Sequence, residues 1–287
     1  MAGEIMDIIV AGAGPAGMSC AIESATLGMD TLIVSDGPPG GLVNAARRLD
    51  NIPGFERGIS AQLWIRDMAT RLASPRIRFV DTGVRRISAH GPDMLVTTTN
   101  GQLMARCVVL ATGTRPVAFS PALPASKRIH RDIRTVPRDL SGQRAAVIGG
   151  SEAAVDTALS LLDRGAMVRV FARGTRLRGR TALLREFTDS TAELDTGRTV
   201  VKVEADPYVT LCFDDKSRWS SEHLLVCVGR ESRIDEIGLP QSGPLPGLFM
   251  AGDMLRDSDQ RFIPAAMTDG IEMARRAFES LESRRTT

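Results

Sequence analysis

Cysteine is scarce and scattered in this chain. The four are Cys20, Cys107, Cys212 and Cys227; none falls in a Cys-x-x-Cys pair, and no Cys/His cluster has zinc-ligand spacing. No metal site is expected. Cys107 in Arg106-Cys107-Val108-Val109-Leu110 and Cys227 in Leu224-Leu225-Val226-Cys227-Val228 lie in apolar runs that read as buried strands, where a free cysteine serves as a small hydrophobe. An excess of charge is missing too. The 36 Lys and Arg against 34 Asp and Glu leave +2, which excludes a global pull towards nucleic acid or anionic membrane. No apolar run approaches the roughly 18 residues needed to cross a bilayer. Glu4 and Asp7 precede the first apolar run, unlike the basic start of a signal peptide, so a soluble, cytoplasmic protein is expected. Low-complexity segments are absent, and 43% apolar with 24% charged residues is ordinary globular composition. At about 150 residues per domain, 287 residues suggest two domains.

What is present begins with a short β-branched run, Met6 to Ala11, that reads as a strand. It runs straight into Gly12-Ala13-Gly14-Pro15-Ala16-Gly17, then a helical pattern to about Leu27, a stop at Gly28, and a strand at 31–34. This strand–turn–helix–strand context is what makes a GxGxxG credible as a dinucleotide turn. The first glycine allows the tight turn, Gly14 lets backbone approach a pyrophosphate, and Gly17 lets the helix pack on the strand. The helix N-terminus offers free N–H groups to the phosphates.

The pattern then recurs. Residues 144–149 read as a strand entering Gly149-Gly150-Ser151-Glu152-Ala153-Ala154, followed by a helix to about Leu162 and a strand at 167–171. Here Ser151 stands where a middle glycine is expected, and its Cβ crowds the phosphate approach. The second turn reads either as a nucleotide site or as a structural remnant of one. Strands between the two turns end in Ala111-Thr112-Gly113, and the chain closes with Ala251-Gly252-Asp253 and a helix from about Pro264 to Ser283. The tail has no fingerprint of its own and is expected to complete the first domain's sheet. The fold class is therefore α/β, with two Rossmann-like dinucleotide-binding domains, the second inserted into the first. The expected boundaries are 1–116 with 237–287 for the first and 117–236 for the insert.

With Pro39-Gly40-Gly41-Leu42 and Asp50-Asn51-Ile52-Pro53-Gly54-Phe55 added, five motifs stand in one order, and over nearly its full length the chain resembles the thioredoxin-reductase-like branch of two-dinucleotide-domain flavoproteins. That resemblance implies FAD in the first domain and NADPH in the insert. It implies that Gly40 and Gly41 pass close to the FAD, that Asn51 lies near the isoalloxazine, and that Asp253 holds the ribityl chain. The glutamate that family members place on the adenosine ribose is replaced by Ser35, with Asp36 beside it. Of the arginine cluster that grips the 2′-phosphate, Arg173 and Arg178 match, while Ala172 and Gly174 depart; arginine forks suit phosphate and favour NADPH over NADH.

The largest departure is at the redox centre. Thioredoxin reductases of this type carry their CxxC a dozen or so residues before the second fingerprint, and the corresponding Arg128–Pro137 holds no cysteine. Disulfide reduction needs an attacking and a resolving thiol. The chain is thus expected to pass electrons from NAD(P)H to a non-disulfide acceptor, with ferredoxin/flavodoxin–NADP reductases as the nearest functional likeness. His130, read as lying on an arginine-rich surface loop beside Asp132, is a candidate proton donor or acceptor. The same basic stretch could dock an acidic redox protein. Two alternatives stay open: a flavin-binding regulator or complex subunit with a degenerate nicotinamide site, and a thiol–disulfide enzyme with relocated cysteines such as Cys20. A homodimer follows from the resemblance alone.

Overall fold

A computed structural model describes residues 4–240 and 245–285, which divide into two compact units. The first contains the sheet ordered 77–81, 31–35, 5–11, 101–110, 93–98, 84–90, with 248–250 also paired to 101–110. The strands around Ile5–Ala11 run parallel, whereas 84–90 and 93–98 form an antiparallel hairpin against the first half of 101–110. The second half of that long strand pairs in parallel with Leu248–Met250. The C-terminal segment thus completes the first sheet, as its sequence suggests.

Side chains alternate across a strand, and here both faces are covered. Ile8, Val10, Ile33, Cys107 and Val109 pack beneath helices α1 (Pro15–Thr26) and α5 (Ile263–Arg285). Their neighbours Ile9, Leu32, Val34, Val108 and Leu110 pack on the opposite face with Ile87, Met94 and Val96 of the hairpin. Two buried faces explain why 8–11 is continuously apolar rather than alternating. Each fully buried isoleucine, such as Ile8 or Ile9, contributes about 1.5–3 kcal/mol. Helix α2 (Ala61–Leu72) buries Trp64, Ile65 and Met68 on one side only.

The second unit has a wholly parallel sheet ordered 129–130, 223–226, 144–148, 167–172, 193–196. Ala145, Val147, Val168, Val170 and Leu225 face helices α3 (Glu152–Leu162) and α4 (Thr181–Thr188). Ala146, Ile148, Phe171, Leu224 and Val226 face a three-stranded antiparallel sheet, 200–205, 209–213 and 218–221, through Val203, Leu211 and Phe213. The connecting segments 114–116 and 230–232 pair as a two-stranded ribbon.

The unit division differs from the expected 116/117 and 236/237 boundaries. It falls between Arg115 and Pro116 and between Arg230 and Glu231, with Ala45–Arg47 grouped with the second unit. The physical reason at the second boundary is Arg115: it ion-pairs Glu231, Asp235 and Glu236, while Ile234 and Ile237 join the first unit's core. Segment 231–236 belongs with the first unit.

Candidate functional site

The first unit gathers its glycines at the C-terminal end of the parallel strands. Gly12 has φ +109°, and a Cβ there would lie 2.3 Å from the carbonyl oxygen of Ala111. At Gly17 a Cβ would lie 1.9 Å from the Gly12 oxygen. Both positions require glycine for close approach. Gly14 differs: its backbone is extended (φ −74°, ψ −176°), and a Cβ there would meet nothing within 4 Å. That open space faces the start of α1, where Gly14 is the N-cap without a side-chain acceptor and Pro15 opens the helix. The first N–H groups of α1 are therefore left for an anion.

Gly40 and Gly41 close over this turn. The Gly40 N–H donates to Ala13 O at 2.8 Å, and a Cβ on Gly41 would lie 2.9 Å from Gly14 Cα. Leu42 is half-buried in the short turn Gly41–Ala45. Asn44 fastens that turn to Pro39 O at 2.9 Å and Gly41 O at 3.2 Å. Buried Ala111 donates its N–H to Ala11 O at 2.8 Å, Thr112 lies against Met254, and the Gly113 oxygen accepts from Arg233 N–H. Gly252 (φ +84°) comes so close to α1 that a Cβ would lie 2.8 Å from that of Ala16. Asp253 follows directly, as the first residue of the short turn Asp253–Leu255. Ser35 ends its strand and donates to Gly37 O, and exposed Asp36 faces Arg233 at 3.6 Å. Asn51 is exposed on the loop after Arg48–Leu49.

Three residues of this site were not singled out from the sequence. Asp269 accepts from Gly252 N–H at 3.1 Å and ion-pairs Arg256, and Arg261 donates to the oxygens of Asp253 and Arg256. Gly270 lets α5 cross α1: a Cβ there would lie 2.1 Å from Ala16 O. A glycine in the interior of a long helical pattern was its only visible signal. The cradle suits a dinucleotide diphosphate, with an acidic group beside it for a polyhydroxyl chain.

The second turn has the same start. Gly149 has φ +145°, and a Cβ there would lie 2.3 Å from Cys227 O; at Gly150 it would lie 3.4 Å from the Cβ of Ala172. Ser151 is the N-cap of α3 with no side-chain cap bond. Glu152 pairs with Arg180, whose N–H and Nε donate to its two carboxylate oxygens at 3.0 and 2.8 Å. Arg178 N–H donates to Gly150 O at 2.8 Å, so segment 173–180 folds across the turn. Arg173 and Arg178 are exposed, as is Arg176 between them.

His130 corrects the sequence reading. It is 6% exposed, with Nδ1 2.9 Å from Thr135 Oγ1 and Nε2 3.2 Å from Nδ1 of His223, whose Nε2 faces Gln143 at 3.0 Å. Burial, together with His223, pushes its pKa down to about 4. The arginines beside it in sequence surround an inward-facing strand position, so His130 is no surface acid or base. Asp132 caps the turn Ile133–Thr135 and binds Arg134. Burial would raise its pKa, but the Arg134 bonds outweigh that and hold it below the usual range.

Three of the four thiols are weakened as nucleophiles by burial. Burial pushes Cys20 up to about 12, and raises Cys107 and Cys227 as well; a protonated thiol is a poor nucleophile. Cys227 follows the strand His223–Val226 and is half-buried rather than lying within it. Among the described residues no group of His, Cys, Asp and Glu could hold a metal ion, and no helix is long and apolar enough to cross a membrane.

Two glycine turns, each joining a parallel strand to a helix, define a protein with two dinucleotide-binding folds. The chain belongs to the pyridine nucleotide-disulphide oxidoreductase family, which matches residues 6–274. It is 27% identical over 289 aligned residues to the bifunctional thioredoxin reductase/thioredoxin of Mycobacterium leprae, covering 91% of this chain and 63% of that protein. It is 22% identical to the thioredoxin reductase of Bacillus subtilis, covering 93% and 92%. Its fold matches that of Lactococcus lactis thioredoxin reductase with a TM-score of 0.85 at 23% identity, over 97% and 99% of the two chains. The T. acidophilum thioredoxin reductase gives 0.81 at 19% identity, over 96% and 98%. The class is that of FAD-dependent NAD(P)H oxidoreductases of the thioredoxin-reductase-like kind, which use FAD and NADPH.

Proposed function

We propose that this chain takes electrons from NAD(P)H and passes them to an acceptor other than a disulfide of its own, without a protein thiol taking part. One observation carries the reading: no two of the four cysteines stand in a Cys-x-x-Cys, and the turn 132–135 is closed by Asp132 and Thr135 hydrogen bonds instead. Bound FAD would supply the relay between a two-electron donor and the acceptor. The chain's residues hold and orient it. The N–H groups of α1 and the open face of Gly14 receive the diphosphate, Gly40 and Gly41 keep side chains away from it, and Asp253 receives the ribityl hydroxyls. Asp36, steadied by Arg233, is placed for the adenosine ribose. Exposed Arg173 and Arg178 are suited to a 2′-phosphate on the donor. Relocated redox cysteines are disfavoured by the raised pKa of Cys20 and Cys107. The acceptor proposed is a small molecule or an acidic redox protein.

A second reading, a flavin-binding subunit without nicotinamide chemistry, is favoured by the Glu152–Arg180 pair across the second turn. Anaerobic reduction of the FAD-loaded protein by NADPH, followed at the flavin band near ~450 nm, separates the two. Bleaching is expected under the first reading and none under the second.

A further inference from the structure

We propose that Asp269 is a positioning residue for the flavin cofactor: its single carboxylate, on α5, ties both ends of the turn 252–256 and so fixes the turn that carries Asp253. The inference rests on reading Asp253 as the group that receives the ribityl hydroxyls. The sequence marks the place first. Asp269 and Gly270 stand side by side inside α5, where both residue types are poor helix formers. Each answers to a contact outside the helix. Gly270 lets α1 pass, since a Cβ there would lie 2.1 Å from Ala16 O. Asp269 reaches the other segment that meets Ala16, the turn led by Gly252, where a Cβ would lie 2.8 Å from that of Ala16.

Three bonds make the strap. Oδ2 of Asp269 accepts from Gly252 N–H at 3.1 Å and from Arg256 Nε at 3.1 Å, while Oδ1 accepts from Arg256 Nη2 at 2.5 Å. Gly252 opens the turn and Arg256 closes it, so Asp253–Leu255 lies between two groups held by one side chain. Gly252 is buried, and a buried N–H requires an acceptor. Here that acceptor is a side chain, so the start of the turn depends on what residue 269 carries. The Arg256 fork meets the carboxylate in two parallel bonds, which fixes its direction. Within the turn Leu255 N–H donates to Gly252 O at 3.0 Å and Arg256 N–H to Asp253 O at 3.3 Å. Only 18% of the Asp269 side chain is exposed, so water competes poorly for these bonds.

Without the strap the turn keeps its binding geometry for only a fraction of the time, and FAD affinity falls by that fraction. A lost hydrogen bond to a charged group corresponds to a fall of about tenfold or more. The test is calorimetric titration of the FAD-free full-length chain with FAD, alone and in competition with ADP, which has the adenosine and diphosphate but no ribityl chain. Asp269→Ala is expected to bind FAD about tenfold more weakly and ADP as the wild type does, because the diphosphate site at Gly14 is untouched. Asp269→Asn, whose amide oxygen still accepts from Gly252 N–H, is expected to recover FAD binding to within about threefold of the wild type. Arg256→Gln, which leaves that bond in place but unbraced, is expected to lose about threefold for FAD alone. Unchanged FAD affinity in Asp269→Ala, or equal losses for FAD and ADP, overturns the positioning role and leaves the FAD reading standing. If Asp269→Ala does not fold, Arg256→Gln decides: a loss confined to FAD supports the strap, and no loss, or an equal loss for ADP, overturns it. Unchanged FAD affinity in Asp253→Ala overturns the ribityl reading itself, and the strap falls with it.

Discussion

Replacing Gly14 by alanine separates the fold from its ligand. The backbone at Gly14 is extended (φ −74°), a conformation alanine adopts without strain, and the added methyl meets nothing within 4 Å. Alanine narrows the unfolded ensemble by about 0.4–1 kcal/mol, while it is a poorer N-cap than glycine by a similar amount. The two offset, so the apoprotein should keep its stability to within about 1 kcal/mol. The FAD-loaded protein should not. The methyl projects into the space assigned to the diphosphate, at the start of a helix whose first N–H groups have no side-chain cap. Losing one charge-assisted N–H to phosphate bond costs about 1.5–3 kcal/mol, or about 10- to 150-fold in FAD affinity. The assay pairs urea unfolding of the apoprotein with FAD binding followed by flavin fluorescence. An unchanged FAD affinity would refute the placement of the diphosphate at Gly14. A large loss of apoprotein stability would refute the reading of Gly14 as ligand space rather than packing space.

Gly270→Ala should do the reverse. Its Cβ would stand 2.1 Å from Ala16 O and 3.0 Å from Cys20 N, so α1 and α5 must separate at a cost of about 3 kcal/mol; an unchanged urea midpoint would contradict that close crossing. The pH dependence of stability follows from the buried histidines. His130 titrates near about 4 in the folded chain, and burial and Arg128 lower His223 too. The unfolded histidines take up protons near 6.5 while the folded ones stay neutral, so stability is full above about pH 6.5 and falls as pH drops towards 4. For His130 the fall amounts to about 3 kcal/mol. His130→Gln should flatten that part of the urea-midpoint profile, and an identical slope in the variant would contradict it.

The strand–turn–helix beginning was legible because its residues agree at every level. Met6 to Ala11 is β-branched, Gly12 and Gly17 sit where only glycine fits, and Pro15 opens a helix. The second strand–turn–helix was legible for the same reason. What escaped depends on contacts far apart in sequence. Arg115 assigns 231–236 to the first unit through three carboxylates over 110 residues away. Gly270 owes its identity to Ala16, which no local pattern reveals. His130 misled because its neighbours Arg128, Arg131 and Arg134 are basic; alternation along a strand turns one side chain inward whatever its neighbours carry. At the second turn the sequence exposed the departure at Ser151 but not the pairing of Glu152 with Arg180, which depends on how the segment after the next strand folds back.

The most direct measurement of a thiol-free electron path is the number of electrons the FAD-loaded protein takes up. It is titrated anaerobically with NADPH alongside a variant with Cys20, Cys107, Cys212 and Cys227 all replaced by serine or alanine, and bleaching near ~450 nm is followed. One NADPH per flavin is expected to complete the bleaching in both proteins, at the same rate. Two NADPH per flavin in the wild type, falling to one in the variant, would reveal a redox-active disulfide and contradict the account.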